Sequence, residues 1–262
     1  WILILYQLTP SFRHRNHNNA NATRMGERVL DTLVLAEAEG VAVSAAEFIA
    51  KQARSAVSSR GQFTLAVSGG STPWRMLAHL AEQALPWDQT RIFQVDERAA
   101  KEGDASRNLT HLTASLQRRW GQLQGRIHPI PIVESDLQAG AAAYSATLNR
   151  YAGNPACLDL VHLGLGSDGH TASLVTGDPA IHVQDRDVAL TEEYRGQRRI
   201  TLTLPALNRA RQILWLVVGR DKRQAVQQLL AGDESIAAGR VHAQHATLIA
   251  DREALDPASL SE

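Results

Sequence analysis

The sequence has one cysteine and no excess of either charge. Because Cys157 is the only thiol among 262 residues, a framework of disulfide bonds is excluded, and a reducing cytoplasm is the expected compartment. Lysine plus arginine and aspartate plus glutamate number 27 each. This balance argues against nucleic acid or an anionic membrane as the main partner, although it permits a local basic pocket for a small anion.

Long apolar runs are also missing. None approaches the roughly 20 residues of a membrane-spanning helix, so no membrane partner is expected. The opening WILILY is shorter than the apolar core of a signal peptide, and basic residues follow it instead of preceding it. With the low-complexity stretch RHRNHNNANATR, it predicts a disordered or non-native tail over residues 1–25, with Met25 as the expected start. Residues 26–262 are expected to form a single domain.

Short apolar segments alternate with segments of helical periodicity from about residue 43 onward. One helical segment opens with Ser71, Thr72 and Pro73, which is typical of a capped first turn, and another has Ser135 as its predicted N-cap. Strands that alternate with helices of about 10–15 residues predict an α/β fold, with one mainly parallel, Rossmann-like sheet and helices on both faces. The predicted strands are 63–67, 91–95, 158–166, 198–204, 212–219 and 246–251.

Four loops follow the ends of predicted strands and carry unusual residues. Ligands of parallel sheets bind beyond the carboxyl ends of the strands, so the fold is expected to bring these loops together. The loops are SGGSTP (68–73), DER (96–98), GSDGHTAS (166–173) and GRDK (219–222).

The SGGSTP loop joins a predicted strand to a capped helix. Gly69 and Gly70 allow backbone N–H groups to turn towards an anion, and the helix N-terminus adds partial positive charge. The hydroxyls of Ser68, Ser71 and Thr72 flank the glycines. This pattern favours a phosphate cradle over a tight turn without a ligand. It is not a Walker loop, because the Gly-Lys-Ser/Thr element is missing.

The DER triplet offers two carboxylates and a guanidinium. Taken alone, Asp96, Glu97 and Arg98 would be interpreted as a surface salt bridge. Their position at the end of a predicted strand makes a ligand site an equal alternative.

The segment VHLGLGSDGHTASL contains a literal G-x-G-x-x-G at Gly164, Gly166 and Gly169. It is a weak dinucleotide fingerprint, because Asp168 would put a carboxylate beside the pyrophosphate and at least two strands precede it. The alternative is that the glycines shape a strand-to-helix turn that presents His170. A histidine in such a turn lies at a cleft and can carry a proton near neutral pH. A helix-capping or merely exposed histidine is the third interpretation.

The cysteine and the other histidines are weaker candidates. Cys157 lies in a loop that runs into a buried strand, which disfavours a nucleophile. His162 lies within that strand and is expected to be a hydrogen-bonded core residue. His242 and His245 lack a third ligand, so no metal site is predicted.

Five segments carry a resemblance to a known family: SGGSTP, VDER, LGLGSDGHTASL, RRITLTLPAL and VVGRDKR. In this order and spacing they are similar to the 6-phosphogluconolactonases, in the larger group that includes glucosamine-6-phosphate deaminase and ribose-5-phosphate isomerase. The resemblance covers about residues 43–251. In deaminases the Asp-Gly-His is typically followed by Ile-Ala-Phe-Asn-Glu, whereas Thr-Ala-Ser-Leu follows here, as in lactonases. The stretch 99–108 departs from the pattern, because it lacks the usual proline and has Arg107 before Asn108.

The resemblance implies hydrolysis of 6-phospho-D-glucono-1,5-lactone, a step of the oxidative pentose phosphate pathway, without a metal or a cofactor. His170 is then the general base, and Asp168 and Asp96 orient either His170 or the sugar hydroxyls. The N–H groups of the Gly69–Gly70 loop hold either the phosphate or the developing oxyanion. The cations implied for the phosphate are Arg98, Arg199 and Lys222.

Two other functions stay open. A deaminase or isomerase of the same fold would use Asp96 as the base that abstracts a proton at C2 of the sugar, and the residues after His170 speak against it. A sugar-phosphate sensor would bind without turnover, and the intact His170, Asp168 and Asp96 favour catalysis. The sequence predicts no oligomeric state.

Overall fold

The computed structural model describes residues 30–133 and 135–255. The predicted tail over residues 1–25 lies outside these ranges. The strands in them are β1 (Leu30–Leu35), β2 (Phe63–Val67), β3 (Thr90–Gln94), β4 (Asp96–Arg98), β5 (Ile127–His128), β6 (Leu160–Leu163), β7 (Val188–Leu190), β8 (Arg199–Leu202), β9 (Ile213–Val217) and β10 (Ala246–Asp251). The α-helices are α1 (Ala38–Arg60), α2 (Ser71–Glu82), α3 (Asn108–Ser115), α4 (Trp120–Leu123), α5 (Leu137–Ala152), α6 (Leu204–Asn208) and α7 (Arg223–Ala231).

The main sheet has seven strands, all parallel, in the order β1-β10-β9-β6-β2-β3-β5. The prediction of a mainly parallel α/β sheet is therefore confirmed. Because the strands run the same way, the loops after β2, β6 and β9 emerge at one edge of the sheet. This carboxyl edge is where the candidate loops lie.

Alternate side chains of the main sheet pack on opposite faces, as expected for strands buried on both sides. In β2, Leu65 and Val67 belong to one apolar core, and Ala66 belongs to the other. Ile49 of α1 packs in the first core, and Tyr144 of α5 packs in the second. Helices thus cover both faces, as predicted. Within the two described ranges, no helix combines the length and apolarity needed to cross a membrane.

A second sheet, which the sequence analysis does not predict, covers part of one face. It is antiparallel, in the order β4-β8-β7. Val95 joins the two sheets, because its N–H donates to the Val67 carbonyl (3.0 Å) and its carbonyl accepts from the Leu202 N–H (2.8 Å). The register places Arg98 opposite Arg199. Periodicity detects β8 but cannot tell which sheet a buried strand joins.

The cap of α5 and the first strand also differ from the predictions. Helix α5 is capped by Asp136, whose carboxylate accepts from the Ala139 N–H (3.0 Å), and not by Ser135. Strand β1 precedes the first predicted element. Its LDTLVL segment lies at the sheet edge, where all six residues are partly or fully exposed, and Asp31 and Thr32 interrupt its apolar residues.

Candidate active site

A cavity of about 290 Å³ lies at the carboxyl edge of the main sheet. All four candidate loops contribute to its wall, as the parallel topology predicts. The predicted site residues on the wall are Ser68, Gly69, Gly70, Ser71, Thr72, Asp96, Arg98, His170, Arg199 and Lys222. Asp168 is not on the wall, and it contacts the site through His170.

Asp168 and His170 form a hydrogen-bonded pair. His170 Nδ1 lies 2.5 Å from Asp168 Oδ1, and the His170 backbone N–H donates to the same oxygen over 3.2 Å. Partial burial acts to raise the pKa of Asp168, but hydrogen bonds from His170 and from the Tyr194 hydroxyl outweigh it and lower that pKa to about 2. The charged carboxylate therefore favours the tautomer with the proton on Nδ1. The other ring nitrogen, Nε2, has no hydrogen-bond partner in the described part of the chain and can accept a proton.

The glycines of LGLGSDGH make room for this pair. A Cβ on Gly166 would overlap His170 Nδ1 and Asp168 Oδ1. Gly169 has a φ of +79°, and a Cβ there would lie 2.5 Å from Ile236. The predicted strand-to-helix turn is wrong in one respect, because tight turns and not a helix follow His170. A dinucleotide would bind its pyrophosphate at a helix N-terminus, and none follows this loop, so the structure does not support the dinucleotide interpretation.

Asp96 is buried in the same cavity. Its Oδ2 accepts from the Ser173 hydroxyl (2.5 Å), and Asn108 Nδ2 donates to its carbonyl (2.9 Å). Burial raises the pKa of Asp96, against the lowering effects of the Ser173 hydrogen bond and of the Arg199 charge. No hydrogen bond joins Asp96 to His170 among the described contacts. Of the two predicted roles for Asp96, its position therefore favours orientation of a sugar hydroxyl.

Two of the predicted cations have polar partners, Arg98 in the stretch that leads into α3 and Lys222 in its own loop. Arg98 Nη1 donates to the Ser106 carbonyl (2.5 Å) and to Asn108 Oδ1 (3.2 Å). Lys222 Nζ lies 3.2 Å from Asp221 Oδ2, and the lysine side chain is 24% exposed. Both cations lie on the cavity wall.

Arg199 is buried, and its guanidinium is only partly satisfied. Its Nη1 lies 3.5 Å from the Ser173 hydroxyl, while its buried Nε has no hydrogen-bond partner in residues 30–133 and 135–255. Burial lowers the pKa of Arg199, and the charge of Asp96 opposes that effect. A buried cation with unused donors is costly, so an anion in the cavity would stabilise this arrangement.

The SGGSTP loop is anchored by His162 of β6. The Ser68 N–H donates to His162 Nδ1 (3.3 Å), and the Ser68 hydroxyl donates to the His162 carbonyl (3.2 Å). Burial lowers the pKa of His162 to about 3, so the ring is neutral at pH 7. Its Nε2 has no partner in the described part of the protein. The prediction of a hydrogen-bonded core histidine therefore holds for one ring nitrogen.

The same loop leaves backbone donors at the start of α2. The predicted Ser/Thr cap of α2 is wrong, because the N-cap residue is Gly70, which has a φ of 136° and offers no side chain to the first turn. The amides of Ser71 and Thr72 are therefore available to an anion. A Cβ on Gly69 would overlap Asn108 Oδ1, so glycine is required where α3 approaches the loop.

Glu97 is fully buried and organises the DER triplet from behind the cavity. Its carboxylate lies 3.4 Å from Arg107 Nε. The surface salt bridge considered for this triplet is wrong, because Glu97 caps the start of α3. The unusual Arg107 of the 99–108 stretch is its buried ionic partner. The donors to Glu97, at 2.8–2.9 Å, are the N–H groups of Arg98, Asn108 and Leu109 and the side-chain amide of Gln94.

The other candidates from the sequence lie away from this cavity wall. Cys157 Sγ donates to the Arg209 carbonyl (3.0 Å). His242 Nε2 lies 3.2 Å from Glu234 Oε1. Within the described ranges, no three histidine, cysteine or acidic side chains are grouped so that they could hold a metal ion.

Two residues that contact the site, Ser173 and Tyr194, were not predicted from the sequence. Ser173 lies inside the GSDGHTAS loop, so its proximity to the site could have been inferred. Tyr194 lies between β7 and β8 and belongs to no motif. Only the folding of the second sheet brings its hydroxyl to Asp168.

The fold and the arrangement of the site agree with a match to a known family. Residues 36–250 match the family described as glucosamine-6-phosphate isomerases/6-phosphogluconolactonase. The chain belongs to this family.

Curated relatives come from the lactonase branch of the family. The 6-phosphogluconolactonase of Synechocystis is 37% identical over 180 residues, which cover 67% of this chain and 75% of that protein. The 6-phosphogluconolactonase of Mycobacterium tuberculosis is 35% identical over 213 residues, which cover 76% of this chain and 86% of that protein.

Solved structures share the fold at lower identity. The 6-phosphogluconolactonase of Thermotoga maritima has a TM-score of 0.76 at 24% identity, covering 85% of this chain and all of that one. A monomeric glucosamine-6-phosphate deaminase has a TM-score of 0.72 at 19% identity, covering 88% of this chain and all of that one. These likenesses show the fold alone, and the fold does not separate the two activities.

We expect Gly166→Ala to separate Asp168 from His170, because the added Cβ overlaps both side chains. The measurement is the downfield proton resonance of the short Nδ1–H···Oδ1 bond, which the variant should lose. Gly121→Ala is the matched control, since no atom lies within 4 Å of a Cβ at that exposed position. Retention of the resonance in Gly166→Ala would contradict the steric argument.

Proposed function

We propose that this chain hydrolyses 6-phospho-D-glucono-1,5-lactone to 6-phospho-D-gluconate, the lactonase step of the oxidative pentose phosphate pathway. One observation carries the proposal. The Asp168–His170 pair opens onto a cavity whose wall also holds three cations. A proton acceptor beside an anion site suits a phosphorylated ester that water must attack. Relatives named 6-phosphogluconolactonase, at 35–37% identity, support this choice of substrate.

His170 is the general base in this proposal. Its Nε2 takes a proton from a water molecule while the water oxygen attacks the lactone carbonyl carbon. The tetrahedral intermediate then collapses by breaking the bond between that carbon and the ring oxygen. The Nε2 proton is returned to the departing ring oxygen, and the product carboxylic acid ionises in neutral water. Protons and electrons balance without a metal or a cofactor.

Asp168 stabilises the imidazolium that forms during the attack. Its depressed pKa keeps the carboxylate charged at neutral pH, and the short contact to Nδ1 directs Nε2 towards the reacting water. The charge of Asp168 lies behind His170, so it does not oppose a phosphate on the cavity wall.

The anionic oxygens of the substrate require donors, and the wall supplies two sets. Arg98, Arg199 and Lys222 hold the phosphate through charge-assisted contacts. The amides around Gly69–Gly70 and the first turn of α2 donate to the phosphate or to the developing oxyanion. Asp96 accepts from a sugar hydroxyl.

We assign the enzyme to the cytoplasm, since a single cysteine suits a reducing compartment. The substrate is a small molecule. The proposed reaction involves neither nucleic acid nor a membrane.

Wild-type protein should release 6-phosphogluconate faster than the lactone opens spontaneously. The measurement couples the product to NADP-dependent 6-phosphogluconate dehydrogenase.

One observation favours a second function, because burial raises the pKa of Asp96 and would make it a stronger base in a deaminase. Ammonia release from glucosamine 6-phosphate, without lactone hydrolysis above background, would establish that alternative and overturn the proposal.

We expect His170→Asn to lower kcat by about a hundredfold to ten-thousandfold, the range typical for loss of a general base. The side chain is 23% exposed at the cavity, so the fold should be retained. A general base acts only in its unprotonated form, so the wild-type rate should rise with pH. The variant should lose this acid limb. Near-normal activity in His170→Asn, together with loss of activity in Asp96→Asn, would show that the base is misassigned.

Lys222→Ala tests the phosphate site. A charge-assisted contact contributes about 1.5–3 kcal/mol, so its loss should reduce kcat/KM for the phosphorylated lactone by about tenfold to a hundredfold. The weak activity on unphosphorylated gluconolactone should change little. Lys51→Ala, on the exposed face of α1, is the matched control. Equal losses on both substrates would mean that Lys222 supports the fold or the chemistry instead.

A further inference from the structure

Tyr194 lies next to both parts of the proposed machinery. Its hydroxyl donates to Asp168 Oδ2 over 3.1 Å, and its ring stands edge-on to His170 with 5.9 Å between ring centroids. The Arg199 guanidinium carbon lies 5.2 Å from the centre of the same ring. We propose that Tyr194 is a positioning residue, whose hydroxyl orients Asp168 and so His170, and whose ring supports Arg199. This inference rests on the proposed function.

The hydroxyl acts on the free end of the Asp168 carboxylate. His170 occupies Oδ1, and no described donor other than Tyr194 binds Oδ2. The Asp168 side chain is 44% exposed, so packing alone does not prevent its rotation. With both oxygens bound, the carboxylate holds the imidazole in one orientation, which is the usual contribution of such outer partners.

The ring of Tyr194 acts on the cations. Both Arg195 and Arg199 place their guanidinium carbons close to its centre, at 5.1 and 5.2 Å. Cations are attracted to aromatic faces at this distance. Arg199 therefore has the Tyr194 ring as a neighbour in addition to the Ser173 hydroxyl and the Asp96 charge.

The backbone holds Tyr194 firmly enough for this role. Its N–H donates to the Gln197 carbonyl (3.1 Å), and the Gln197 N–H donates back to the Tyr194 carbonyl (3.3 Å). The two residues between them, Arg195 and Gly196, have φ values of 53° and 78°. Two positive φ values are typical of the tight hairpin turn whose twist matches its flanking strands. Tyr194 therefore lies on a structured hairpin and not on an open loop.

Two variants separate the roles of the hydroxyl and of the ring. Tyr194→Phe removes the hydroxyl alone and should lower kcat by about tenfold while KM for the phosphorylated lactone stays unchanged. In Tyr194→Phe, the fall in rate at acid pH should begin at a higher pH than in the wild type. Without the hydrogen bond from the phenol, the negative charge of Asp168 acts on His170 alone and stabilises the imidazolium more strongly. Tyr194→Leu also removes the ring, so KM should rise as well. Thermal unfolding checks that both variants fold.

Tyr151→Phe is the matched control, because that half-buried tyrosine contacts Arg91 and His128 away from the cavity. Its kinetic constants should equal those of the wild type. A second comparison introduces Tyr194→Phe into Asp168→Asn. Because the carboxylate on which the hydroxyl acts is then gone, kcat should fall by less than about twofold further.

The outcomes distinguish this inference from the function on which it rests. A wild type that hydrolyses the lactone, with Tyr194→Phe unchanged in kcat and pH profile, overturns the inference alone. Equal losses from Tyr194→Phe in the wild-type and Asp168→Asn backgrounds also overturn it, since the hydroxyl would not act through Asp168. A wild type no faster than spontaneous opening overturns the proposed function and the inference together.

Discussion

The buried carboxylate of Glu97 holds together the part of the molecule in which the candidate site is built. A charged group without solvent is strongly destabilising unless donors surround it. Here the donors come from the end of β3, from β4 and from the start of α3. They can meet at one carboxylate only when these three elements adopt their native arrangement. Arg98 and Asn108, which both donate backbone N–H groups to Glu97, are thereby directed to the cavity.

The distribution of charge around the cavity resolves a conflict present in the sequence. Asp168 next to a phosphate would be repulsive, and this argues against a dinucleotide at the glycine-rich loop. In the structure the Asp168 carboxylate binds His170 and Tyr194 behind the wall, while Arg98, Arg199 and Lys222 lie on the wall itself. One cavity can therefore hold a negatively charged substrate and still use a carboxylate to support a base.

His170 and Asp96, two groups that can accept a proton, line the same cavity. His170 is paired and partly exposed, which suits proton transfer with water. Asp96 is buried, has a raised pKa and is bound by Ser173. The fold alone does not determine the activity, which depends on side chains in the loops and not on the sheet. The Thr-Ala-Ser-Leu after His170 is the local feature that aligns this chain with the lactonases.

The gathering of the loops could be predicted from the sequence, because it depends on local signals and one topological rule. Apolar periodicity locates strands such as β2 and β10 to the residue, and parallel strands put their carboxyl ends at one edge. The placement of His170 at the cavity, in a turn shaped by Gly166, could also be predicted, since both residues lie in one short segment.

What the sequence could not determine depends on contacts between distant segments. Periodicity is the same for a buried strand in either sheet, so only the tertiary structure decided that β8 pairs with β4 and brings Arg199 opposite Arg98. The same pairing carries Tyr194 to Asp168. The burial of Glu97 also could not be predicted, because its donors lie up to twelve residues away in sequence. Only the folded chain brings them to its carboxylate. Local sequence determined where the turns lie and which side chains of a strand face each side of the sheet. The pairing of distant strands decided which buried polar groups contact each other.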